Sequence, residues 1–97
     1  MEIKNLNQLE NYFRKGNLFG LLDVNRIGVF GSFARNEEFK DIDLLIEDDI
    51  SLESLISFQK ILKQDIDVPV DIVLSKYAES IILYRAQQDL KYAQLYS

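Results

Sequence analysis

Ninety-seven residues, 47% of them apolar, allow one domain with a modest core and exclude wholesale disorder. With neither cysteine nor histidine, the chain can form no disulfide, thiolate nucleophile or His-ligated zinc centre, so a general base must be a carboxylate, Lys, Tyr or water. Sixteen acids against eleven bases give a net charge of −5, a poor balance for gripping a nucleic-acid backbone but suited to holding divalent cations or docking on a basic partner protein.

The first residues, Met1-Glu2-Ile3-Lys4-Asn5, lack the basic-then-apolar pattern of a signal segment, and no apolar stretch is long enough to span a bilayer. A cytoplasmic protein without membrane contact is expected. Asn5 with Gln8 three residues later predicts a helix start; Leu6, Leu9 and Phe13 share its inner face and Gly16 stops it. Leu18, Phe19, Leu21 and Leu22 read mainly as core. Arg26 to Phe30 predicts a buried strand that ends in a tight turn at Gly31. Ile42 to Ile46 predicts a second strand, ended by Glu47, Asp48 and Asp49. Ser51 can cap a helix carrying Leu52, Leu55, Phe58, Ile61 and Leu62, which must end before Pro69. Val70 to Leu74 predicts a third strand. From about Lys76, the spacing of Ala78, Ile82, Ala86, Leu90 and Ala93 predicts one long final helix.

The element order gives an α/β (α+β) class: a small mixed β-sheet of three or more strands with helices packed on it, in a single domain spanning 1–97. The helix between the second and third strands is long enough for a parallel crossover. The short link between the first two could equally make an antiparallel pair.

Side chains alternate faces along a strand, so Asp41 and Asp43 project from one face while Ile42, Leu44 and Ile46 take the other. In the third strand Asp71 stands opposite to Val70, Ile72 and Leu74. If the second and third strands are neighbours, about 4.8 Å apart, Asp71 can lie beside the Asp41/Asp43 pair. Three such carboxylates repel one another, and burial near apolar strands makes sense with a cation present. Mg²⁺ takes oxygen ligands, and two such ions can stabilise the entering and leaving oxygens of a phosphoryl transfer. Asp41, Asp43 and Asp71 are therefore the candidate metal and catalytic residues, with Asp71 also placed to help draw a proton from an acceptor hydroxyl. Any one of them alone reads as a solvated strand end; the spacing and shared facing lift the three together.

Gly31 directly after an apolar strand allows backbone angles other residues resist and lets a ligand come close. Ser32 offers a hydroxyl and an N–H to a phosphate. Arg35 can contact phosphate, or pair with an acid such as Glu37 or Glu38. A Gly-Ser pair is common in ordinary turns, and only the following Asp-x-Asp gives it weight.

Val29-Phe30-Gly31-Ser32-Phe33-Ala34-Arg35 followed by Asp41-Ile42-Asp43-Leu44-Leu45-Ile46 resembles the signature of the DNA polymerase β-type nucleotidyltransferase superfamily. The small size and Val70-Asp71-Ile72-Val73 make the chain most similar to the minimal nucleotidyltransferases (MNT). The resemblance implies the polymerase β-like fold, ATP as substrate with two Mg²⁺ ions, Gly31 and Ser32 as triphosphate binders, and Asp41, Asp43 and Asp71 as metal ligands. It implies an antitoxin paired with a helical HEPN-type toxin, which such proteins neutralise by transferring AMP to a tyrosine or by binding. Three departures stand out: Asn36 where Gly is usual, Lys40 where Ser is usual, and a link from Arg35 to Asp41 about two residues shorter than is common. The short link favours the alternative of a catalytically weak or inactive antitoxin that neutralises its toxin by binding. Transfer to a small molecule such as an aminoglycoside would need more chain. An unrelated acidic domain with chance motifs is the remaining reading.

Tyr84, Tyr92 and Tyr96, eight and four apart, would share a stripe on the expected final helix, with Tyr77 near its start. They read either as a half-buried packing edge or as a docking face. Homo- and hetero-oligomers both stay open.

Overall fold

The computed structural model describes residues 1–96. Helix α1 (Leu6–Lys15) starts where Asn5 caps it: the Asn5 side-chain oxygen accepts from the Gln8 N–H at 2.9 Å, and Gln8 Oε1 accepts from the Lys4 N–H at 2.8 Å. A short helix α2 (Leu18–Leu22) follows, flanked by Asn17 and Asp23 in the left-handed region (φ 52° and 59°) that Asn and Asp tolerate. It buries Leu18, Phe19 and Leu22, as the apolar run suggested.

Strands β1 (Arg26–Phe30), β2 (Ile42–Ile46) and β3 (Val70–Leu74) form where the sequence predicts them. Between them lie α3 (Gly31–Ala34) and α4 (Leu52–Asp65); Ser51 Oγ caps α4 by accepting from the Ser54 N–H at 3.1 Å. Strands β1 and β2 are antiparallel, and β2 and β3 are parallel neighbours joined through α4. The expected long final helix does not form. A 3-10 turn (Ser75–Tyr77) leads to α5 (Ser80–Asp89), and Lys91–Gln94 is a fourth strand, β4, antiparallel to β1. The free backbone edge of β1 takes this segment, and Ala93 alternates inward to a fully buried site while Tyr92 takes the other face. Tyr84, Tyr92 and Tyr96 therefore share no helical stripe. Tyr92 instead lies under Arg26, whose guanidinium carbon is 3.9 Å from the ring centre.

The sheet order is β3-β2-β1-β4. One face carries Ile27, Val29, Ile42, Leu44 and Ile46, all buried, against Phe13 of α1, Phe19 of α2 and Phe58 of α4. The rings of Phe13 and Phe19 meet edge-on at 5.8 Å. Burying each such side chain contributes about 1.5–3 kcal/mol, so this layer dominates the stability. The opposite face is covered at its centre by α5. At Gly28 an added Cβ would lie 2.9 Å from Leu90 Cδ1, so the absent side chain is what lets the end of α5 approach β1. The part of this second face towards β3 and the Gly31 turn stays open. No helix among the described residues is long and apolar enough to cross a membrane.

Candidate active site

The register of the sheet builds the site. Phe30 pairs with Asp43 across β1 and β2, and Asp43 pairs with Asp71 across β2 and β3. Parallel pairing puts the side chains of paired residues on the same face, so Asp43 and Asp71 stand side by side on the face opposite the main core. Asp41 precedes β2 on that same face. One carboxylate oxygen from each of Asp41, Asp43 and Asp71 lies within 4.8 Å of the other two. Asp41 and Asp43 are half-buried and Asp71 is exposed at the rim.

Among the described residues, none of the three takes part in an ion pair or a side-chain hydrogen bond. Burial, together with the charges of Asp41 and Asp71, therefore pushes the Asp43 carboxyl up to about 6. A cluster of this composition, oxygen-only and short of positive charge, fits a hard divalent cation.

Gly31 closes the site on the β1 side. Its φ is +77°, and an added Cβ would lie 2.5 Å from Asp43 Oδ2. The glycine is thus required twice, by the backbone angle and by the closeness of a carboxylate. Ser32 follows, half-buried in the first turn of α3. That helix ends in a Schellman arrangement: the Asn36 N–H donates to Phe33 O at 3.1 Å and the Glu37 N–H to Ser32 O at 3.1 Å. Asn36 holds the left-handed residue at φ 62°, so it does the work a glycine would do there. Phe39 packs edge-on against Phe33 at 4.8 Å and anchors the short link back to β2.

Arg35 is engaged elsewhere. Its Nε donates to Glu37 at 3.0 Å and its guanidinium to Asp89, the last residue of α5, at 2.6 Å. These two partners raise its pKa further. Glu37 is one of the two acids the sequence offered as partners. Asp89 stands 54 positions away in the chain, and no local pattern could have revealed it. Lys40 is exposed beside Asp41 in the chain and has no ion pair among the described residues.

Residues 6–96 match a family model described as the nucleotidyltransferase domain. A candidate protein adenylyltransferase of Methanocaldococcus jannaschii is 36% identical over 77 residues, which cover 73% of this chain and 79% of the relative. Among solved structures, a chain from a mutant MntA–HpeT toxin–antitoxin complex superposes with a TM-score of 0.62 at 22% identity, over 91% of this chain and 70% of that one. A chain from the complex of tri-AMPylated Shewanella oneidensis HEPN toxin with MNT antitoxin gives 0.59 at 21% identity, over 91% and 71%. At such identities these structures show a common fold. The family model spans nearly the whole chain and the archaeal relative shares over a third of the aligned residues, so the chain belongs to the nucleotidyltransferase family.

Proposed function

We propose that the chain is an Mg²⁺-dependent protein adenylyltransferase that transfers AMP from ATP to a tyrosine of a HEPN-type toxin and so acts as its antitoxin. The observation that carries this is the convergence of Asp41, Asp43 and Asp71 beside the Gly31 turn. The archaeal relative, named for protein adenylylation, supports the acceptor class, and the complex of an AMPylated HEPN toxin with an MNT antitoxin supports the partner.

Asp41, Asp43 and Asp71 would hold the metal. When bound, Mg²⁺ offsets their mutual repulsion and polarises the phosphoryl group under attack. The remaining work falls to the chain. Gly31 leaves space next to Asp43, and Ser32 supplies a hydroxyl and an N–H to the triphosphate. Arg35, with Nε and Nη1 on Glu37 and Asp89, would offer its Nη2 to a phosphate oxygen. In the transfer, the acceptor oxygen forms a bond to the α-phosphorus as its bond to the pyrophosphate oxygen breaks. Pyrophosphate departs, and the acceptor's proton passes to Asp71 or to water.

Incubation of the chain with ATP, Mg²⁺ and its partner toxin should add one or more AMP groups to a toxin tyrosine, read by mass spectrometry. Asp43→Asn should lower the rate by more than about 100-fold, since even an outer-shell change at a metal site costs ~10–100-fold. The prior engagement of Arg35 favours one second reading, neutralisation by contact alone. That reading holds if the native chain adds no AMP while Asp43→Asn still neutralises the toxin fully.

A further inference from the structure

The two edges of the sheet are treated differently. On β4, the outward backbone of Gln94 is sealed: its N–H donates to Glu10 at 2.7 Å and its C=O accepts from Arg14 Nε at 2.9 Å. On β3 nothing comparable exists among the described residues. The Ile42 N–H donates to Pro69 O, and the register then turns the backbone groups of residues 69, 71 and 73 towards β2. Those of Val70 and Ile72, and the Leu74 N–H, point away from the sheet, and no other group among the described residues bonds to them; the Leu74 C=O starts the 3-10 turn instead. Between Val70 and Leu74 the register is unbroken and proline is absent, and the strand's one charged residue, Asp71, faces the acidic site.

Beneath this edge, on the α4 side, runs a mainly apolar groove lined by Leu62, Ile66, Val68, Val70 and Ile72, with Gln59 and Lys63 on its far wall. Residues 52, 56, 59 and 63 fall on one helical stripe. Leu52 and Ile56, which are 70% and 44% exposed, lie on the same stripe of α4 as Gln59 and Lys63, nearer its N-terminus. An unpaired backbone edge and an apolar groove beside it call for one kind of occupant: an extended segment with apolar side chains at alternate positions.

The site lies on the other face of the same strand. Asp71 is flanked by Val70 and Ile72, and its side chain points to the open face with Asp43. A segment that paired with β3 and sank two alternate apolar residues beside Val70 and Ile72 would bring the residue between them next to Asp71. In an antiparallel pairing the Cα atoms of that residue and Asp71 would be about 4.5 Å apart. We propose, building on the adenylyltransferase reading, that the acceptor binds as an extended strand on the open β3 edge, with its modified tyrosine between two apolar residues and directly opposite Asp71. A second copy of this chain is the poorer occupant. Twofold antiparallel pairing about Ile72 would bring two Asp71 residues, each with its own acidic triad, to within roughly 8 Å on one face. A foreign strand with a basic residue two positions from its tyrosine, on the same face, meets the acids with opposite charge instead.

The test uses the full chain and the peptide Thr-Ile-Lys-Val-Tyr-Ile-Lys, with a control in which its three apolar residues are serine. Amide hydrogen exchange is followed by NMR and AMP transfer by mass spectrometry. The expected result is that the peptide, but not the control, slows exchange at Val70, Ile72 and Leu74 by about tenfold or more. With ATP and Mg²⁺ its tyrosine gains AMP. Ile56→Lys, on an exposed site, should weaken peptide binding by about tenfold or more without changing ATP affinity. Protection without transfer would leave the edge as a docking site and count against the transferase reading. Transfer without protection, normal binding by Ile56→Lys, or concentration-dependent protection of the edge with no peptide present would each overturn the proposal.

Discussion

Gly31 is the residue with the least freedom to change. Any side chain there meets Asp43 Oδ2 and must also adopt a φ of +77°. The backbone angle alone costs about 1–2 kcal/mol for an L-residue. Gly31→Ala should therefore lower the unfolding free energy by at least about that much and push Asp43 out of the cluster. Calorimetry would show the first effect and loss of Mn²⁺ binding the second. A fully stable variant with intact metal binding would refute this account of the turn. Asp43 itself gives a pH signature. The folded chain holds its proton up to about 6, against 3.8 for the unfolded reference, so the folded state is favoured while Asp43 is protonated. That advantage is lost as pH rises from about 4 through 6, and at pH 7 the ionised carboxylate opposes folding of the metal-free chain. The full rise would correspond to about 3 kcal/mol, and screening of a half-exposed group reduces this to about 1 kcal/mol. Asp43→Asn should thus stabilise the metal-free protein by about 1 kcal/mol at pH 7 and have no such effect near pH 4. Urea melts at the two pH values would decide it. The same titration predicts that metal affinity falls as pH drops below about 6, because the ion must displace that proton.

At the scale of elements, the helix starts were the clearest signals. Asn5 and Ser51 cap α1 and α4 as their side chains and positions suggest. Ser51→Ala should cost about 1 kcal/mol. Such a loss lowers the melting temperature of a chain this size by ~4–8 °C, measurable by circular dichroism, and an unchanged melt would mean the cap contributes nothing. Strands β1, β2 and β3 were legible because short apolar runs bounded by Gly31, the acids after Ile46 and Pro69 leave little room for a helix. The C-terminal segment was not legible. Ala86, Leu90 and Ala93 fit a helical period, yet Ala93 belongs to β4, where the edge of β1 offers paired hydrogen bonds that local spacing cannot foresee. The five-residue α2 was read for its burial and not for its shape, since one helical turn carries too few residues to show a period.

For the whole molecule, the acidic site is a strain that a ligand relieves. The stabilisation from a ligand held only by the folded state, at a hundred times its Kd, is about 2.7 kcal/mol. Mg²⁺ with ATP, or Mn²⁺ alone, should therefore raise the melting temperature by roughly 10–20 °C at that excess. The shift should vanish in Asp43→Asn. An equal shift in that variant would place the ligand elsewhere.

The amino-acid sequence alone determined which groups could meet. Period-two alternation puts Asp41 and Asp43 on one face and Asp71 opposite its apolar neighbours, and Gly31 with Ser32 follows a buried strand. Only the tertiary structure decided that they do meet. The parallel pairing of β2 with β3 sets Asp43 beside Asp71, and the antiparallel pairing of β1 brings Gly31 against Asp43. It alone also tied Arg35 to Asp89 and left β3 as an open edge. The reason is that local preference acts through neighbouring residues, whereas strand order and register are fixed by the burial of a shared core between segments far apart in the chain.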